Sequence, residues 1–321
     1  MGAMTRCGRV RDVLLTAALN VANAPPASFF YGGQAVIEGV LMRGKQHYAV
    51  AARRPDGSIA LRTDVLRSRV YTKRFWSLPF VRGVAGLYEM VHLGLGALEW
   101  SARIQMGEEI EIPVGMTRAA MGVALVFGLG LFIVVPLVIT NVLRHSSSRS
   151  VTSVLIEGGI RAAVLILYLL LIGTLGNIKR VFQYHGAEHQ AINCLESGKE
   201  VDVANVRRSS RLHPRCGTGF IVVVALVSVI VFAPLGLLPV AVRIACQIVL
   251  IPVVAGISYE AIRGLARIRY TRIGKILLGP VLATQLLSTR RPDDQQIEVA
   301  IRALDAARAE EESVGELAGA N

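Results

Sequence analysis

The order of apolar and polar positions divides this chain into a membrane-like middle flanked by mixed segments. Residues 119–142 read AAMGVALVFGLGLFIVVPLVITNV without a single charge. That exceeds the roughly 20 residues an α-helix needs to cross about 30 Å of hydrocarbon, so a spanning helix is predicted. A second run, 162–178, follows Arg161 and stops at Lys179 and Arg180. It is slightly short and is expected to continue as helix into water. Residues 217–262 are too long for one crossing and are interrupted at Pro234-Leu235-Gly236 and Pro239, which predicts a helical hairpin. The expected spans are therefore four, at about 119–142, 162–178, 217–233 and 237–261. Arg243, near the start of the last, is expected to extend its charge toward the interface.

Outside that block the periodicity changes. Residues 31–61 consist of short β-like pieces. The stretch 47–54, then Pro55-Asp56-Gly57, then 58–62 reads as a β-hairpin whose turn residues suit a tight reversal. Residues 78–104 have a helical pattern with Arg82, Glu89, His92 and Glu99 embedded, and either lie in the interface or dip into it. Residues 268–288 are basic and apolar and suit a helix against the inner leaflet. Residues 293–312 form an amphipathic helix with Ile297, Ile301 and Leu304 at helical spacing, and the last residues are expected to be disordered. An apolar run at 13–27 follows Arg9 and Arg11, but Asn20, Asn23 and Pro25-Pro26 break it too early for a signal peptide.

The predicted fold is mainly α: a polytopic helical membrane protein with a small β-containing amino-terminal unit and a carboxy-terminal amphipathic helix. The organisation is a variable extension 1–30, a glycine-rich and β-hairpin unit with its interfacial helix 31–117, a membrane domain 118–262 and a basic tail 263–321. Within the membrane domain, 179–216 form a cytoplasmic loop.

Composition agrees with this division. Of 321 residues, 53% are hydrophobic, above the soluble norm. Basic residues set the expected orientation, because Lys and Arg beside spans stay cytoplasmic. Residues 1–117 carry 14 Lys/Arg, 177–217 seven and the tail after Ile262 nine, whereas 144–161 carry three and the Pro234 turn none. An inner-membrane, multi-pass topology with both termini cytoplasmic is predicted. The net charge of +12 then reflects anionic lipid and topology and requires no nucleic acid. Cys7, Cys194, Cys216 and Cys246 are too scattered for a disulfide framework.

Candidate chemistry concentrates in the 179–216 loop. His185 and His189 are four apart, so a helix projects both from one face, with Glu188 beside them. The pattern H-x-x-E-H is the inverted zinc-protease signature, two imidazole ligands with a glutamate as general base. His213 and Cys216 flank Pro214 at a spacing that lets both converge on one ion, and imidazole with thiolate suits zinc. Three of the six histidines fall between 185 and 213. Four ligands from His185, His189, His213 and Cys216 give a closed structural site. Three leave room for water, on which Glu188 acts as base. Glu260, at the end of the last span, is a further ligand, a partner for Arg263 or a solvated interface residue. Asn193 and Glu196 continue the face of His189, either orienting its neighbours or facing solvent. The glycine-rich stretch 32–44 lacks both the P-loop ending and the dinucleotide spacing, and Glu38 with Arg43 is expected to form an ion pair within it.

Taken together, Gly32 to Gly44, Pro79-Phe80-Val81-Arg82-Gly83, Tyr184-His185-Gly186-Ala187-Glu188-His189, His213-Pro214-Arg215-Cys216-Gly217-Thr218 and Tyr259-Glu260 resemble the YqhQ-like family of bacterial membrane proteins. The likeness covers roughly residues 30–305. Gly219 stands where a serine is expected. The resemblance implies a predicted metal-dependent enzyme with His185, Glu188, His189, His213, Cys216 and Glu260 as functional positions. Two functions are expected: a zinc hydrolase at the cytoplasmic membrane surface, acting on a membrane-associated peptide or lipid, or a scaffold whose closed zinc site shapes a loop that contacts protein partners. A transporter ranks last, because the spans offer almost no polar residue to line a path.

Overall fold

The computed structural model describes residues 31–66, 68, 74–107, 113–143, 151–268 and 271–319. The 1–30 extension, with Cys7 and the 13–27 run, lies outside them. The described chain is mainly helical with one four-stranded antiparallel sheet near the amino terminus.

The strands β1 (Gly32–Val36), β2 (Gly39–Arg43), β3 (His47–Arg53) and β4 (Ile59–Val65) form a meander in sequence order. The expected β3–β4 hairpin is present. Gly57 supplies its positive φ of 88°, and Asp56 Oδ1 accepts from the Ser58 amide and hydroxyl at 2.8 and 2.7 Å. A second hairpin, β1–β2, occupies the glycine-rich stretch, within the region expected to hold short β-like pieces. Its two-residue turn places Glu38 at φ 51°, so Glu38 leaves the sheet and cannot pair with Arg43 as expected. Arg180 binds Glu38 instead, and Arg43 lies 3.7 Å from Glu89.

The helices are α1 (Val81–Met106), α2 (Val114–Leu129), α3 (Val135–Leu143), α4 (Val151–Ile172), α5 (Gly176–Glu196), α6 (Val203–Arg208), α7 (Gly217–Phe232), α8 (Val240–Val249), α9 (Ile251–Arg267), α10 (Arg272–Ser288) and α11 (Asp294–Gly319). A π-turn, Gly130–Val134, joins α2 to α3 just before Pro136.

One core lies between the sheet, α5 and α11. Val40, Met42, Ala49 and Ala51 meet Ala187, Ala191 and Ile192 of α5 and Ile297, Ala300, Ala303 and Leu304 of α11, all fully buried. Alanines on three surfaces permit close approach, and the apolar stripe predicted on α11 supplies its half. A reciprocal cap starts α11: Asp293 Oδ1 accepts from the Gln296 amide at 2.9 Å, and Gln296 Oε1 from the Asp293 amide at 3.0 Å. The helix then runs to Gly319, past the expected end at 312.

Two helical segments, Gly115–Leu143 and Gly217–Leu235, are long and apolar enough to cross a membrane. Two bent pairs raise the number to four if each is one span. Both pairs correct the expected boundaries. The run at 162–178 is not one rod: α4 ends at Ile172, and α5 leaves it at 103°. Thr174 Oγ1 donates to the Leu171 carbonyl at 2.6 Å and helps close α4, while the polar sequence of α5 belongs against the sheet. The last segment breaks at Leu250 with a 52° bend. Pro252 causes it, since its ring removes a donor and clashes with the preceding turn. Arg243 is also corrected. Its side chain is 7% exposed and pairs with Glu157 inside the bundle instead of reaching outward. Helix α10, expected to lie flat on a leaflet, packs on α7, with Val281 and Gln285 against Gly219.

Helix α1 crosses α9 closely. Gly256 approaches the Phe80 carbonyl, and a Cβ on Gly83 would lie 2.6 Å from Tyr259 Cβ.

Candidate metal centre

Helix α5 presents His185, Glu188 and His189 on the face turned toward the loop that leads into α7. Gly186, between them, has a packing reason: a Cβ there would strike the Arg290 carbonyl of the segment between α10 and α11, whose amide donates to the Phe182 carbonyl at 2.8 Å.

The loop 209–216 is fixed by amides. Asn193 donates to the carbonyls of Ser210 and Leu212 at 2.6 and 3.0 Å, and Gln190 to those of Arg207 and Ser209 at 3.2 and 2.9 Å. Gln285 of α10 grips His213 twice, accepting from its amide at 2.9 Å and donating to its carbonyl at 2.8 Å. Asn193 therefore positions the loop, neither orienting a ring nor facing solvent. Sequence reasoning missed Gln285, whose one signal is an amide within an otherwise apolar helical run.

Cys216 caps α7 and receives the Thr218 amide at 3.4 Å. Its Sγ lies 3.2 Å from His185 Nε2. His185 Nδ1 bonds the Ser288 carbonyl at 2.9 Å, and His189 Nδ1 the Arg211 carbonyl at 2.6 Å. A carbonyl only accepts, so both Nδ1 atoms carry protons and both Nε2 atoms face the cluster. Ligating histidines are oriented in this way. One ligand atom from each of His185, His189 and Cys216 lies within 4.8 Å of the others. The donor set fits a metal of zinc type: two imidazoles and a thiolate. Glu188 Oε2 stands beside it, 3.5 Å from His189 Nε2 and 3.9 Å from His185 Nε2.

His213 and Glu260 stand apart from this triad. The His213 ring lies against His189 with centroids 5.7 Å apart, but its Nε2 faces Arg215 at 3.3 Å and Glu196 at 3.7 Å. Glu196 thus orients His213 and pairs with Arg215. Glu260 lies at the crossing of α1 and α9, where Arg82 holds it through two hydrogen bonds of 2.7 and 2.5 Å.

Burial and neighbours set the electrostatics. Burial raises the Glu188 carboxyl above its usual range, against the pull of His189 and His185. Burial opposes charge on His189, yet Cys216 and Glu188 carry it up to about 9. Burial also opposes the Cys216 thiolate, but His189 and His185 bring it well below the ordinary thiol value. Burial drives His213 down to about 4 despite Glu196. His189 and Cys216 thus stabilise each other's charged forms, while burial favours the neutral forms of Glu188 and His213.

Residues 78–310 match the family model of a protein of unknown function termed DUF1385. The "Uncharacterized protein YqhQ" of Bacillus subtilis (strain 168) is 35% identical over 295 residues, covering 88% of this chain and 92% of its own. No solved structure matches. The triad, Glu188, His213 and Glu260 all lie inside the matched region, and the chain belongs to the DUF1385, YqhQ-like family.

Proposed function

We propose that this chain is a polytopic inner-membrane protein, with both termini cytoplasmic, that binds zinc at His185, His189 and Cys216 and hydrolyses a membrane-associated peptide or lipid. The observation that carries the metal is the pair of Nδ1–carbonyl bonds, which direct both Nε2 atoms at the Cys216 thiol. Exposed apolar side chains along the two long helices support insertion. Val123, Val126 and Ile230 are 70–75% exposed, and water would make such faces adhesive.

Zinc in such a site supplies a Lewis acid that polarises a carbonyl or phosphoryl oxygen and lowers the pKa of water. The chain supplies the rest. His185, His189 and Cys216 would hold the metal with one ligand atom each, and His213, turned toward Glu196 and Arg215, would stand outside them. Glu188, raised by burial, is suited to accept a proton from the attacking water and return it to the leaving group. Cys216 places the site at the start of α7, so on this reading a substrate would approach it along the membrane surface.

A second reading has its own support: Glu188 is 3% and His189 1% exposed. Enclosure of that degree suits a structural site in which Glu188 is the fourth ligand and the protein is a scaffold. Elemental analysis of detergent-purified wild type, His185→Ala, Cys216→Ala and Glu188→Gln separates the two. About one zinc per chain, lost in the first two variants and kept in the third, supports the hydrolase. Loss in Glu188→Gln as well supports the scaffold, and a metal-free wild type defeats both.

A further inference from the structure

A second polar cluster lies at the opposite end of the helices from the histidines. Glu157 and Arg161 are one turn apart on α4, Ser228 and Phe232 one turn apart on α7, and Arg243 and Gln247 one turn apart on α8. Ser228 is twelve residues along the chain from Cys216, or roughly 18 Å at the helical rise. Arg161 donates to Ser228 Oγ at 3.0 Å, Glu157 Oε1 at 3.2 Å and Gln247 Oε1 at 3.5 Å. Arg243 donates to Glu157 Oε2, and Gln247 to Glu157 Oε1 at 3.3 Å. The Arg161 guanidinium also lies 5.3 Å from the centre of the Phe232 ring.

The cluster does not balance. Two guanidiniums face one carboxylate, and the side chains of Glu157, Arg161 and Arg243 are only 8, 10 and 7% exposed. Arginine does not shed its proton, so titration cannot remove the excess. A buried unpaired charge costs several kcal/mol. Among the described residues, Glu157 is the one acid paired with these arginines. Glu157 is the one Asp or Glu in residues 113–187 and 217–259, while 144–161 add Arg144 and Arg149. Among the described residues, Nε of Arg161 and Nε of Arg243 are both buried without a hydrogen-bond partner. Glu157, Arg161, Ser228 and Arg243 line a cavity of about 10 Å³, room for a single oxygen atom.

We propose that this pocket binds a phosphate-bearing anion, one of whose oxygens enters between the two arginines and balances the cluster. A phospholipid headgroup and free inorganic phosphate share this chemistry. The lipid source rests on reading α4, α7 and α8–α9 as membrane spans, whereas the anion site itself does not.

The test uses the full chain, delipidated in a maltoside detergent, with melting followed by intrinsic fluorescence. Phosphatidylglycerol, a phosphate-free galactolipid, and sodium phosphate against sodium chloride at equal ionic strength are titrated separately. Wild type should gain about 3 °C or more with phosphatidylglycerol and little with the galactolipid. Arg243→Gln should lose most of that gain. Gln247→Glu provides the missing carboxylate from within, so it should melt higher than wild type without ligand and respond weakly to it. If Arg243→Gln does not fold, Gln247→Glu carries the test. Stabilisation by phosphate alone supports the site with a free anion as its source. Wild type indifferent to both phosphate compounds, or Gln247→Glu responding as wild type does, overturns the proposal. Sedimentation of the chain with carbonate-washed membranes checks the membrane reading independently.

Discussion

Gly33 on β1 backs directly onto Glu188: a Cβ built at Gly33 would lie 2.8 Å from Glu188 Cγ and 3.0 Å from its Oε1. It would also meet the Leu41 carbonyl across the hairpin at 2.5 Å. The sheet is thus the wall against which the proposed base rests, and only hydrogen fits between them. Gly33→Ala should cost about 1–3 kcal/mol through overpacking and lower the melting temperature by several degrees. Gly32→Ala is the matched control, since nothing lies within 4 Å of that Cβ. Equal melting temperatures for the two variants would refute this account.

The double grip of Gln285 on His213 supports a second prediction. Gln285 is fully buried and makes both of its amide bonds to one backbone unit. Gln285→Leu keeps most of the volume but leaves the His213 amide and carbonyl unpaired, at about 1–3 kcal/mol each. Since His213 begins the turn that delivers Cys216, metal content should fall together with the melting temperature. A variant that melts lower but retains full metal would show that Cys216 is held from elsewhere.

How legible these arrangements were follows from the range of each interaction. His185, Glu188, His189 and Cys216 were readable because helical spacing and a capped turn are local. The β3–β4 hairpin and the stripe on α11 were readable for the same reason. The role of Gly33 was not, because it depends on a side chain 155 positions away that the sequence does not place beside it. Glu260 had the right chemistry for a ligand, but the crossing of α1 over α9 delivers Arg82 to it first. Arg243 misled because its position near a span boundary suggested an exit to water. Glu157, which lies ahead of the expected span at 162–178, provides a partner inside the bundle.

Glu38 ties the β1–β2 turn to α5. The Arg180 guanidinium beside it holds its carboxyl below the ordinary range, and the Tyr184 hydroxyl donates to Oε2 at 3.2 Å. A carboxyl lowered in the folded state contributes stability above its unfolded pKa of about 4.3, and that contribution is lost as pH falls through the folded value. Arg180 is half exposed, so the pair contributes roughly 0–1 kcal/mol. Wild type should therefore melt above Glu38→Gln near neutrality, and the difference should shrink and then vanish as the pH falls below the ordinary carboxyl range and Glu38 takes up its proton. A difference that persists unchanged into acid would assign it to the turn backbone and not to the charge.

The ligand count yields the sharpest contrast, between two residues three positions apart. Cys216 Sγ lies 3.2 Å from His185 Nε2 and belongs to the group of atoms that converges. His213 is as deeply buried, but its Nε2 faces Glu196 and Arg215, and burial keeps it neutral with a pKa near 4. Cys216→Ala should abolish zinc retention, whereas His213→Gln should keep about one zinc per chain and chiefly lower the melting temperature. Loss of the ion in both variants would require the His213 ring to turn from Glu196 toward the triad on binding. The site would then have four protein ligands, and Glu188 would have no adjacent open position for water to occupy.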